Sequence, residues 1–482
     1  MTAIVALLLT REAEAQAFLN LHNFSSNEGT SPESSLILAG GKIWGTTYTG
    51  GSNANGTLFA VKADGTSFTN QHHFSALITI SNQIVIPPGT IPVTVYSYTN
   101  SDGANPAAGL VLAGNTLYGT ASTGGSAGKG TIFSINTNGT GFTTLHHFNG
   151  SDGATPVANL LLVGNTLYGT ASAGGDGSRG CVYSIKTDGT EFTALYSFSA
   201  GSIIFPFPFS ITNSDGASPK SGLILSGRTL YGTSSAGGIS GGGTVFALTT
   251  NGTGFTNLHN FVGIEGSNPR GSLVMLTNLL YGTTRIGGRW SDGTIFAIGT
   301  NGSGFTNLYN FTASISNFVA NADGAQPLAG LTLFGNNLYG TTSAYGDPGS
   351  GTLFVINPDG TGFTVLHRFL SGEGFAPSAG LLPVGNALFG TTQNGGNSNG
   401  GTFFSLSLTL PQLSIIRTGT NVILSWPTTN FGINYASFAL QSSTNVFSPI
   451  WTSEMIVPNL FSDHFMITNP MTGTRKFYRL VQ

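Results

Sequence analysis

The chain is poor in charge. Asp, Glu, Lys and Arg make up 7% of its 482 residues, against about a quarter in an ordinary globular domain. The formal net charge is −3. There is no basic field, so nucleic acid is excluded as an expected partner. The single cysteine, Cys181, excludes an intramolecular disulfide. It stands in a strand where other copies of the same motif have Thr, so a small buried residue is expected rather than a reactive thiol. No apolar run reaches 18 residues, so no transmembrane helix is expected. Helical periodicity is missing throughout. Nucleophile-elbow and HExxH motifs are also missing. The Gly-rich stretch Ile239–Thr244 lacks the following Lys-Ser/Thr of a phosphate loop, and Gly175–Gly177 is too short for a calcium loop. No cofactor or metal is expected.

What the chain has instead is glycine, 71 residues, and phenylalanine, 34, arranged in one recurring sentence. The clearest copy reads FTTLHHF (Phe142–Phe148), DGATP (Asp152–Pro156), LLLVGNTLYGT (Leu160–Thr170) and GCVYSIKTDGT (Gly180–Thr190). Its YGT landmark falls at Trp44, Tyr118, Tyr168, Tyr231, Tyr281, Tyr339 and Phe389, with spacings of 74, 50, 63, 50, 58 and 50. The base unit is therefore 50 residues. Every surplus sits between the last Phe of FTxLHxF and an acidic-Gly turn: Ala76–Asn100, Ala200–Asn213 and Thr312–Ala322. Insertions at one point of a repeat map to loops on one face.

Each unit reads as four short strands. Asn165 marks one hairpin. Asp188-Gly189 marks another, expected as a two-residue turn with both residues at positive φ. The repeat opens on a lone fourth strand, Phe18–Phe24, and ends on a third strand, Gly401–Leu408. That offset suits a ring in which the first strand completes the last sheet and removes an edge. The fold class expected is all-β: a seven-bladed β-propeller over 18–410, then a small β-sandwich over 411–482. The second module shows about six short strands and a core candidate in Trp426, and resembles a fibronectin type III or immunoglobulin-like domain. Residues 1–17 read as a signal-peptide remnant, with an apolar stretch at Ile4–Leu9 and an A-x-A pattern at Ala15-Gln16-Ala17.

The unit LYGTxxxGGxxxxGTIFxIxTDGTxFTxLHxF, at Leu117–Phe148 and its relatives, resembles the bacterial tandem repeat known as the GloVer repeat. The resemblance covers roughly 18–408. It implies a secreted or cell-surface repeat protein of a group with a choice of C-terminal anchors, and brings no catalytic residues. The unit is also distantly similar to a kelch blade.

Two positions could carry chemistry in every unit. One is acidic: Glu28, Asp102, Asp152, Asp215, Glu265, Asp323 and Glu373. The other is His or Tyr: His22, His72, His146, Tyr196, His259, Tyr309 and His367. Metal binding or proton transfer is one reading. A scaffold hydrogen bond repeated in each blade is the favoured one, since Tyr replaces His twice. By parity the His position is expected on the same strand face as both Phe of FTxLHxF.

Departures from the repeat are better pointers to binding. The insertions carry Tyr96, Tyr98, Phe205, Phe207 and Phe209; the Gly-Gly loop of the fifth unit carries Arg285, Arg289 and Trp290. Aromatic loops on a rigid scaffold suggest a glycan or another cell-surface partner. The competing expectation is that the first insertion is a long hairpin, turning at Pro87–Gly89, that buries its own apolar residues. A polysaccharide hydrolase or lyase is a third reading.

Overall fold

The computed structural model describes residues 17–84, 93–204, 210–313, 321–346, 349–408, 411, 413–430, 433–434, 438–444, 450–454, 456–461, 464–470 and 476–481. Among these residues every regular element is a β-strand. Residues 1–16 of the signal-peptide remnant expected at 1–17, and the turn expected at Pro87–Gly89, lie outside them.

The third unit shows the common plan. Leu161–Val163, Thr166–Ala171, Cys181–Lys186 and Thr193–Ser197 pair in that order, each antiparallel to the next. Among the described residues, seven such four-stranded sheets carry the YGT landmarks. In the last of them the fourth strand is Phe18–Asn23, paired with Thr402–Ser407 from Phe18↔Leu406 to Asn23↔Thr402. The two ends of the repeat region therefore share one sheet.

Residue choice follows from packing. The second and third strands are buried almost throughout. The glycine of each YGT motif makes room for the aromatic ring opposite: a Cβ on Gly119 would lie 2.6 Å from Phe133 Cζ. Each apolar core cluster draws on two successive units. One joins Tyr118, Ile132 and Phe148 to Leu160, Leu167 and Tyr183; another joins Phe389 and Phe403 to Leu36, Ile43 and Phe59. The core thus lies between sheets, in a propeller-like arrangement. Side-chain bonds cross the same seams: Thr46 Oγ1 donates to Pro106 O, Thr120 Oγ1 to Pro156 O, and Thr391 Oγ1 to Pro32 O.

Two local expectations are corrected. At Asp188-Gly189 only the glycine is left-handed, with φ +84°. Asp188 instead accepts hydrogen bonds from the backbone and hydroxyl of Thr190, and Gly189 N bonds Lys186 O. The result is a longer loop before the next strand rather than a two-residue turn. The shared strand face also fails. Phe142 packs back on the preceding unit, against His72, whereas His146 and Phe148 face the following one. A bulge between the pairs Phe133↔Thr144 and Ile132↔His146 reverses the parity.

Beyond residue 411, Ser414–Thr418, Asn421–Pro427, His464–Pro470 and Asn459–Phe461 form one sheet, and Thr452–Ser453, Ala439–Ser443 and Phe477–Val481 a second. Val422, Leu424, Trp426 and Ile467 from the first and Leu440 from the second belong to one buried cluster, continuous with Leu406 and Leu408 of the last repeat sheet.

Candidate functional site

The acidic and His/Tyr positions meet in every repeat sheet. His72 Nε2 lies 2.9 Å from Asp102 and His146 Nε2 2.9 Å from Asp152; His367 Nε2 lies 3.0 Å from Glu373. Tyr196 and Tyr309 donate their hydroxyls to Asp215 and Asp323 at 2.8 Å. His22 and His259 lie 3.4 and 3.2 Å from Glu28 and Glu265, within ion-pair distance. The carboxylates also accept the backbone N–H just after the last Phe of each FTxLHxF motif, as in Ser75 to Asp102 and Thr312 to Asp323. Their own carbonyls accept from the third strand: Thr131 Oγ1 to Asp102 O at 3.0 Å, Thr402 Oγ1 to Glu373 O at 2.8 Å. In the third unit Cys181 Sγ takes this place, 3.3 Å from Asp152 O. Burial first, then nearby negative charge, pushes this thiol up to about 12, so it is held as a neutral donor.

Each ring of this set stacks on the FT phenylalanine of the next unit. The series runs His22 on Phe68, His72 on Phe142, His146 on Phe192, Tyr196 on Phe255, His259 on Phe305, Tyr309 on Phe363 and His367 on Phe18. Centroids are 3.7–4.2 Å apart and planes 3–8° apart. The last ring, His367, thus stacks on the strand that opens the repeat. The arrangement pins the acidic-Gly turn and clamps adjacent sheets. Among the described residues no group of three or more His, Cys, Asp or Glu could hold a metal ion.

Burial lowers the imidazole pKa of His22, His146, His259 and His367 from the ordinary 6.5, against the opposing pull of their carboxylates. The unfolded chain then binds more protons than the native one as pH falls below about 6.5. Stability is expected to drop from pH 7.5 to 5 and to level off only below the native-state values. Melting curves across that range check it, and His146→Tyr should flatten part of the slope, because Tyr196 and Tyr309 already fill this position in other sheets.

Departures from the repeat gather on one face. In an antiparallel four-stranded meander, successive connections alternate between the two ends. The Gly-Gly loops join strands two and three, and the insertions join one sheet to the next, so both emerge at the same end. The first insertion is a hairpin, Ile78–Ile84 paired with Val93–Thr99. It does not bury its described apolar side chains: Ile78 and Ile80 are exposed, as are Tyr96 (59%) and Tyr98 (54%). These two rings, two residues apart on one strand, share a cleft of about 300 Å³ with Leu77, Asn105, Thr123 and Lys129. Phe205, Phe207 and Phe209 lie outside the described residues. Arg289 stacks over the half-exposed Trp290, 4.9 Å from its ring centre. Arg285 does not join them. Its guanidinium turns away to Gln326 Oε1, at 3.1 Å from Nη2.

Residues 83–207, 204–318 and 312–431 match, in tandem, the Gloeobacter/Verrucomicrobia repeat. The chain belongs to that family. Each match of the Gloeobacter/Verrucomicrobia repeat spans two YGT landmarks and begins in or beside an insertion, so the long and short units alternate as pairs. The chain matches no curated protein. Among solved structures it is similar to a putative 6-phosphogluconolactonase from Bacteroides fragilis (13% identity, TM-score 0.45, covering 92% of this chain and 99% of that one). It is also similar to TolB from Acinetobacter baumannii (14%, 0.35, 64% and 59%) and to a puromycin-hydrolyzing peptidase of Mycobacterium tuberculosis (12%, 0.48, 83% and 58%). These likenesses say nothing about activity. No helix of the described residues is long and apolar enough to cross a membrane.

In this Gloeobacter/Verrucomicrobia repeat chain the position after the repeated proline escaped sequence reasoning. It is Glu33, Ala107, Val157, Lys220, Arg270, Leu328 and Ser378 in successive units. All but Ser378 line a single cavity. Comparing the seven copies column by column would have found its three charged members.

Proposed function

We propose that this protein is a secreted, non-catalytic binding protein: a closed seven-bladed propeller with a C-terminal β-sandwich, taking glycan ligands on its insertion face. The cycle of stacked rings that returns to Phe18, and the pairing of Phe18–Asn23 with Thr402–Ser407, support closure. The two packed sheets after residue 411 support the sandwich. Export is supported by the apolar stretch and A-x-A pattern at the N-terminus.

One observation carries the binding reading. The acid–His/Tyr pairs recur in every repeat sheet against the same neighbours, as scaffold contacts do, which favours the binding reading over the hydrolase one. Asymmetry is left to the insertion face, where Tyr96 and Tyr98 form an exposed aromatic strip beside a polar cleft. Aromatic walls with a few placed polar groups are what a sugar ring needs. Tyr96→Ala/Tyr98→Ala is expected to weaken glycan binding at least tenfold with no loss of fold, since both rings are exposed. A glycan array with wild type and variant tests it. No binding by the folded wild type would leave a surface-structural role in its place.

A further inference from the structure

We propose that the centre of the insertion face binds an oxyanion, the carboxylate, sulfate or phosphate group of a ligand, between Lys220 and Arg270 with Arg285 behind them. The site is separate from the Tyr96–Tyr98 cleft and stands without it.

The chain has only 16 lysines and arginines, and three of them meet here. The scaffold does not require them. The same slot is Ala107, Val157, Leu328 or Ser378 in other units. At the position of Arg285, other units have Ser122, Ser172, Ser235 and Ser343, whose hydroxyls bond a nearby carbonyl. The two arginines are held by neutral partners. Arg270 Nε donates to Asn268 Oδ1 at 2.7 Å, and Arg285 to Gln326 Oε1. None of the three makes an ion pair within the described residues. Their proximity is unfavourable as it stands. Burial and then the charges of Arg270 and Arg285 lower the Lys220 pKa; burial and then Arg285 lower that of Arg270. The attraction of a bound anion would offset both the repulsion and the cost of burial.

There is space for one. Lys220 and Arg270 line a cavity of about 90 Å³, with Ser35, Asn159 and Ser272 on its wall. At about 30 Å³ each, three waters would fill it, or one small oxyanion. Asn159 and Ser272 are already fixed, taking hydrogen bonds from Gly109 N and Gly222 N at 2.6 and 2.9 Å. One carboxylate faces the same cavity. Glu33 bonds Gln393, and burial raises its pKa, which favours its neutral form beside a bound anion.

The test is calorimetry and thermal melting of the full chain with inorganic phosphate, inorganic sulfate and a uronic-acid oligosaccharide, each against sodium chloride at equal ionic strength. Wild type is expected to bind at least one of these and to melt higher in its presence. Lys220→Met/Arg270→Met should lose tenfold or more in affinity while melting at or above wild type without anion, because apolar residues fill this slot elsewhere. Glu33→Gln should bind several-fold tighter. Binding of the inorganic ions identifies a free-anion site; binding of the oligosaccharide alone identifies an acidic group on a glycan. Either supports the proposal. A folded wild type that responds to none of the three probes, or a double variant that binds as wild type does, overturns it.

Discussion

Asp102→Ala is expected to destabilise the protein by about 3–5 kcal/mol, since it leaves several partly buried donors without their acceptor at about 1–3 kcal/mol each. The carboxylate's side chain is 11% exposed. It accepts from His72 Nε2, from Ser75 N and from the Ser75 hydroxyl. Burial opposes its ionisation, yet those bonds hold its pKa below the usual carboxylate value. Alanine would leave an imidazole, an amide and a hydroxyl without their acceptor in a place water reaches poorly. The same substitution at Glu265 should cost only about 1 kcal/mol. Its side chain is 34% exposed, and His259 and Val262 N stand 3.2 and 3.4 Å away. Urea unfolding of the two variants measures the difference. Equal losses would mean that the sheets do not depend on this bond in proportion to its geometry.

Deleting residues 17–24 is expected to be more damaging still. The deletion strips a whole strand from the last sheet and bares the edge at Thr402–Ser407. It takes Phe18 from its stack on His367 and removes Phe24, fully buried between the first and last units. Loss of a buried Phe side chain alone costs about 3–5 kcal/mol. The shortened protein should melt far below wild type or not fold cooperatively, with new affinity for hydrophobic dyes. A synthetic peptide of residues 17–24 should restore part of the loss by adding a strand to the open edge. A truncated protein that melts like wild type would mean the ends of the repeat do not support one another.

The architecture was legible because the repeat is strict. A recurring base spacing of 50 residues, with every surplus at one point of the unit, and the unmatched first and last strands point to one sheet per unit and to its sharing between the two ends. The strand face of His146 was not legible, since a single bulged residue reverses parity and leaves no mark on composition. The turn at Asp188 was misread because an Asp-Gly pair serves two turn types, and the side-chain bond to Thr190 chooses between them. The grouping of Arg285 with Arg289 and Trp290 trusted proximity in sequence. In a Gly-rich loop, four residues are enough to send one side chain inward and the other out. Lys220 and Arg270 are 50 residues apart in an ordinary position, and only the stacking of sheets makes them neighbours.

The strand that completes the last sheet also sets a schedule. Phe18 is made 388 residues before its partner Leu406. At about 5–20 residues per second, roughly 20–80 s of synthesis separate them. Through that interval Phe18–Asn23 is a short strand with no partner, and every sheet after the first can form beside its predecessor while this one piece waits. Its brevity and the asparagines at 20 and 23 suit it to waiting, since long apolar edges are what aggregate. The molecule is therefore assembled in the order of its sequence but finished at its beginning.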